Sequence, residues 1–126
     1  MKKILIVDDD ADFRELIKNR LLYSGFEVFE AKNGLEGLER AKKVLPDLVI
    51  LDIKMPQMNG YSLVKELRTL PETASVPIIV LTAYKDMQDL FKLEGVDEYV
   101  IKTEGSNSLL EKISKVLNVE IKKNFE

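Results

Sequence analysis

Three short apolar runs punctuate the chain, Ile4-Leu-Ile-Val7, Leu48-Val-Ile-Leu51 and Ile78-Ile-Val-Leu81. Apolar runs without alternation predict strands covered on both faces. Glu98-Tyr-Val-Ile101 predicts a further strand, and Phe26-Glu-Val-Phe-Glu-Ala31, which alternates, predicts one at or near a sheet edge. Between the strands the apolar spacing turns helical. Phe13, Leu16, Ile17 and Leu21 form one stripe, opened by a capping-box match of Asp12 with Glu15 and closed by Ser24-Gly25. Asn33-Gly34 leads into a second helix with Leu35, Leu38 and Leu45 as its stripe, Glu39 and Lys43 on its wet side, and Pro46 as its stop. Leu63, Val64, Leu67 and Leu70 share a register over Gly60 to Leu70, before the breaker Pro71. Met87, Leu90 and Phe91 fall in a short helix over Asp86 to Leu93, followed by the turn Glu94-Gly95. Leu109, Leu110, Ile113, Val116 and Leu117 make the last amphipathic helix, with Ser108 and Glu111 as a capping-box match.

Five strands alternating with five helices, joined by short connections, predict an α/β fold: a doubly wound parallel sheet with helices on both faces. Periodicity does not give the strand order. The length of 126 residues suits one domain. We place it at 1–119, with 120–126 a tail too polar and short to be a second domain.

Net charge is −3, the wrong sign for a nucleic-acid binder, so Lys42-Lys43 and Lys122-Lys123 are read as solvated faces. No apolar run reaches membrane-spanning length, and Met1-Lys-Lys leads into too few apolar residues for a signal peptide. The absence of cysteine excludes disulfides and thiolate chemistry, and a cytoplasmic protein is expected. The absence of histidine excludes a phosphohistidine or a His base in the chain. If phosphoryl groups are handled, the histidine belongs to a partner.

Against that background, the ends of the strands stand out. The first run ends in Asp8-Asp9-Asp10, the third strand in Asp52, the fourth in Thr82 and the fifth in Lys102. In a parallel sheet these fall on one rim, the rim where ligands bind. Each has a plainer reading: a capped turn for Asp8 to Asp10, a turn start for Asp52, strand propensity for Thr82, and a solvated lysine for Lys102. Together they fit phosphoryl transfer. Crowded carboxylates repel unless a cation sits among them, and oxygen ligands suit magnesium. One acid is left exposed as nucleophile, with a hydroxyl and an ammonium to meet phosphoryl oxygens.

Ile4-Leu-Ile-Val-Asp-Asp-Asp10, Leu51-Asp-Ile-Lys-Met-Pro-Gln-Met-Asn-Gly60, Pro77-Ile-Ile-Val-Leu-Thr-Ala83 and Tyr99-Val-Ile-Lys102, in this order, resemble the receiver domain of two-component response regulators. The likeness runs over nearly the whole chain and is to the single-domain, chemotaxis-type form. It implies a flavodoxin-like sheet of order 2-1-3-4-5. It implies that Asp52 is the phosphoacceptor, supplied by a histidine kinase or a histidine phosphotransferase protein. Asp9 would be a direct Mg2+ ligand, Asp8 would act largely through water, and the Lys54 carbonyl would be a further ligand. Thr82 would be the switch hydroxyl, Tyr99 the aromatic that turns inward behind it, and Lys102 the phosphoryl-binding lysine. Tyr99 as simple strand packing stays open. Lys54 and Tyr84, each two residues beyond a site residue, would flank the water that attacks during dephosphorylation, with Tyr84 as a shield. Met55 and Met58 are read as loop packing.

Two departures qualify the resemblance. Thr103 follows Lys102 where the family usually has proline, so a trans bond is expected there and Lys102 could be aimed differently. The stretch from Thr82 to Tyr99 is short for the family, which points to a truncated fourth helix. The expected function is therefore a stand-alone receiver, a signalling domain rather than an enzyme, that takes part in its own phosphorylation and dephosphorylation. It would act on a downstream protein target as a switch or serve in a phosphorelay. The alternative is a non-switching protein-binding module of the same fold. A flavodoxin-like cofactor binder or phosphatase fits poorly: no Gly-rich phosphate loop follows Val7, and no second acid stands two residues after Asp52.

Overall fold

The computed structural model describes residues 1–121; residues 122–126, with the Lys122-Lys123 pair and most of the expected tail, lie outside the described residues. The elements run β1 (Lys3–Val7), α1 (Ala11–Tyr23), β2 (Glu27–Ala31), α2 (Gly34–Val44), β3 (Leu48–Leu51), α3 (Gly60–Thr69), β4 (Ile78–Thr82), α4 (Gln88–Leu93), β5 (Glu98–Ile101), a 3-10 turn (Lys102–Glu104) and α5 (Ser106–Leu117). The strands form one parallel sheet in the order β2-β1-β3-β4-β5, the flavodoxin-like arrangement expected. The alternating strand β2 is at an edge.

Successive side chains on a strand point to opposite faces, and the core divides accordingly. Leu5, Val7, Val49, Leu51, Ile78 and Val80 face Ala41, Leu63, Val64, Leu67 and Phe91 of α2, α3 and α4. Ile4, Ile6, Leu48, Ile50, Ile79, Leu81 and Val100 face Ile17, Leu21, Leu109, Leu110 and Ile113 of α1 and α5. Each such fully buried aliphatic side chain contributes roughly 1.5–3 kcal/mol. Ile121, the last described residue, also packs on the α1–α5 side.

Several helix details differ from the expectation. Asp10, not Asp12, caps α1: its carboxylate accepts the Phe13 N–H at 3.1 Å. Ser108 does not cap α5, which starts at Ser106 after Gly105 with φ of 90°, and no side chain caps it. The stripe on α2 is also different. Leu35 and Leu45 are exposed, and Gly34, Gly37 and Ala41 are buried. A Cβ on Gly37 would lie 2.9 Å from Val7, so the helix sits close on β1 and its small residues make the contact. Leu16 on α1 and Leu90 on α4 are likewise exposed rather than in the core. The fourth helix is shorter than read, six residues from Gln88 without a side-chain cap.

Candidate functional site

Register brings the polar strand ends together. Val7 pairs with Leu51, so the residues that follow them, Asp8 and Asp52, are neighbours; the Asp52 N–H donates to the Val7 carbonyl at 3.0 Å. Thr82 pairs with Ile101, which puts Lys102 just beyond it on the same rim. One carboxylate oxygen from each of Asp8, Asp9 and Asp52 lies within 4.8 Å of the others. The Lys102 Nζ lies 2.9 Å from Asp8 Oδ2 and 3.0 Å from Asp52 Oδ2. The other Asp52 oxygen accepts the Ile53 N–H at 2.6 Å.

Asp52 is not the exposed acid that the sequence reading expects: 11% of its side chain is accessible, whereas Asp9 is open to solvent. The four apolar residues of β3 carry Asp52 inward to the floor of the rim. Beside it an open basin of about 360 Å³ is lined by Asp9, Lys54, Met55, Pro56 and Asn59. Burial raises the Asp8 carboxyl above the usual carboxylate range; the Asp10 N–H bond and the Lys102 ammonium work against this, and the Asp52 charge adds to it. Burial alone would lower the Lys102 ammonium, but its bonds to Asp8 and Asp52 outweigh burial and raise it.

Thr82 is fully buried, and its hydroxyl accepts the Tyr84 N–H at 3.4 Å. No hydrogen bond joins Thr82 to Asp52 among the described residues. The Lys54 ammonium lies 5.3 Å from the centre of the Tyr84 ring, so the two flanking positions meet across the mouth of the site. The Tyr99 hydroxyl donates to the Tyr84 carbonyl, and its ring, 6.0 Å from Phe91, packs on the core. Tyr99 thus combines strand packing with a tie to the loop after β4. Met55 is buried and Met58 partly buried against the same core, as loop packing requires.

No peptide bond among the described residues is cis, so Lys102–Thr103 is trans as expected, yet Lys102 still reaches both acids. Four contacts have no signal in the sequence. Arg14 donates to the Asp8 carbonyl at 2.6 Å and to Glu30 at 3.0 Å, bracing β1 from α1. The Asp10 N–H donates to Asp8 Oδ1 at 2.9 Å. The Phe13 ring lies under the Lys102 ammonium, 4.2 Å from its centre.

The donor set fits a hard divalent ion. Three carboxylates converge with one ammonium to offset them, and oxygens around a magnesium ion stand about 2.1 Å from it, hence within about 4.2 Å of each other.

The model of the response regulator receiver domain matches residues 4–114. The probable transcriptional regulator ycf27 of Porphyra purpurea is 42% identical over 118 residues, covering 92% of this chain and 47% of that protein. The chain thus spans about half the length of such relatives. The chemotaxis protein CheY of Bacillus subtilis is 37% identical over 117 residues, covering 92% of this chain and 98% of that protein. Among solved structures, the response regulator TrrA of Thermotoga maritima, in complex with Mg(2+)-BeF, superposes with a TM-score of 0.85 at 40% identity, over 93% of this chain and all of that one. The chemotaxis response regulator CheY4 of Vibrio cholerae gives 0.86 at 32% identity, over 93% of this chain and 99% of that one. Among the described residues no helix is long and apolar enough to cross a membrane.

Proposed function

The chain belongs to the response regulator receiver family, and from that premise we propose that it accepts a phosphoryl group on Asp52 and thereby switches protein–protein interactions. The observation that carries this reading is the meeting of Asp8, Asp9, Asp52 and Lys102 at one rim. An Asp52 oxygen forms a bond to phosphorus as the phosphorus–nitrogen bond of a partner's phosphohistidine breaks. The electron pair stays on the imidazole nitrogen, which then takes up a proton. Asp8, Asp9, Asp52 and the Lys54 carbonyl would hold Mg2+, which when bound neutralises charge on the phosphoryl oxygens. Lys102 pairs with one phosphoryl oxygen and Thr82 turns its hydroxyl to another. Tyr99 follows from behind, and Lys54 and Tyr84 modulate loss of the group to water.

In this reading the receiver occupies 1–119 and 120–126 is a tail. The donor is a histidine kinase or a histidine phosphotransferase protein in the cytoplasm, and a downstream protein reads the result, as switch or relay. The non-switching alternative is not favoured, because the acid set is complete and Lys102 reaches it despite Thr103. Intact-mass spectrometry after treatment with acetyl phosphate and MgCl2 tests the proposal. Wild type should gain one phosphoryl group and Asp52→Asn none; equal labelling removes Asp52 from the role.

A further inference from the structure

Phe13 reads in the sequence as one member of an apolar stripe. In the structure it is half-buried, and its ring meets the Lys102 ammonium at 4.2 Å from the ring centre. The ammonium therefore has three neighbours, two carboxylates and one aromatic face. The contacts close on themselves. The Phe13 N–H donates to Asp10 Oδ1 at 3.1 Å, the Asp10 N–H donates to Asp8 Oδ1 at 2.9 Å, and Asp8 Oδ2 takes the ammonium at 2.9 Å. Asp10 thus ties the backbone of Phe13 to the acid that pairs with Lys102.

From its own backbone Lys102 receives little support. β5 ends one residue earlier, the turn Lys102–Glu104 has no side-chain cap, and residues 103–105 are exposed. The lysine stem is long and rich in rotamers.

We propose that Phe13 is a positioning residue for Lys102, a neutral wall that keeps the ammonium at the rim while phosphoryl transfer moves charge among its partners. This rests on the phosphoacceptor reading. With acetyl phosphate as donor, an Asp52 oxygen bonds to phosphorus, and the phosphorus–oxygen bond to acetate breaks with the pair leaving on acetate. Negative charge then passes from the Asp52 carboxylate to the phosphoryl oxygens. The ammonium has to release Asp52 and follow. Asp8 pulls it one way throughout. An aromatic face attracts a cation without using up an N–H donor and without changing its own charge, so it holds the ammonium near the rim during the exchange.

The test compares wild type, Phe13→Tyr and Phe13→Leu, each with Lys102 intact and in Lys102→Ala, by the rate of acetyl phosphate labelling with MgCl2. Phe13→Tyr keeps the π face and should label within about twofold of wild type. Phe13→Leu keeps the bulk and should label about three- to tenfold more slowly. In Lys102→Ala the leucine should add nothing. A second readout needs neither donor nor metal: the ring-current shift on the Lys102 side-chain resonances persists in Phe13→Tyr and disappears in Phe13→Leu. Wild-type labelling by Phe13→Leu, or equal slowing with and without Lys102, overturns the proposal. A wild-type chain that takes no label is a different result. It overturns the phosphoacceptor reading, and the positioning role with it.

Discussion

Lys102 and Asp52 stand 50 positions apart in the chain and 3.0 Å apart at the rim, Nζ to Oδ2. The same ammonium lies 2.9 Å from Asp8. One cation therefore offsets two neighbouring carboxylates, one of which burial already disfavours as an anion. The turn after β5 supplies the charge that lets β1 and β3 end side by side in acids.

Removing that ammonium exposes the repulsion. Lys102→Ala should lose about 1–3 kcal/mol of stability at neutral pH, the range for a broken, partly buried ion pair. MgCl2 should then restore more stability to the variant than it adds to wild type, because a divalent ion takes over the offset. Thermal melts with and without MgCl2 measure both. Equal magnesium shifts in the two proteins would mean that the lysine does not offset the cluster.

The strand ends were legible because a carboxylate at the end of a buried apolar run is costly unless a partner offsets its charge, and parallel pairing places such ends together. The helix faces were less legible. Apolar spacing names a stripe but not how near the helix lies to the sheet. On α2 the approach is so close that Gly37 and Ala41 are buried while Leu35 and Leu45 face solvent. Two acids, Asp10 and Asp12, could each have capped α1, and nothing local decided between them. Phe13 beneath Lys102 follows from no spacing rule, since only the tertiary packing that brings α1 up to the turn after β5 joins those positions.

The loop after Asp52 depends on a second close approach. A Cβ on Gly34 would sit 2.0 Å from the Met58 carbonyl oxygen, which is backbone and cannot swing aside. The same loop holds Gln57 at φ of 67° and Met58 at φ of 143°, both costly for side-chain-bearing residues. Gly34→Ala should therefore destabilise by about 3 kcal/mol or more. Urea unfolding measures it, and a loss below about 1 kcal/mol would show that the loop gives way readily.

Acid should weaken the brace between α1 and β2. Burial alone would raise the Glu30 carboxyl, but Arg14 and Lys18 outweigh it and hold the group below its ordinary value of 4.5. A depressed carboxylate stabilises the fold above its unfolded pKa, and that contribution is lost as pH falls through the folded one. Wild type should exceed Glu30→Gln by about 0.5–1 kcal/mol at pH 7, with the gap closing below about pH 4. Paired urea melts across that window check it; a gap that widens in acid contradicts the ion-pair account.

Tyr84 contributes two separable things to the mouth of the site. Its carbonyl accepts the Tyr99 hydroxyl, and its ring meets Lys54 at 5.3 Å. Tyr84→Ala keeps the carbonyl and removes the ring, so it isolates shielding from anchorage. If the ring keeps water from the acyl phosphate, the variant should lose its phosphoryl group about two- to tenfold faster, equivalent to roughly 0.4–1.4 kcal/mol of barrier. Tyr99→Phe makes the opposite cut, losing the tie and leaving the ring in place, and should change the lifetime less. Decay of the phosphorylated species, followed by intact mass after donor removal, compares all three. A Tyr84→Ala lifetime equal to wild type or longer would remove the ring from any protective role.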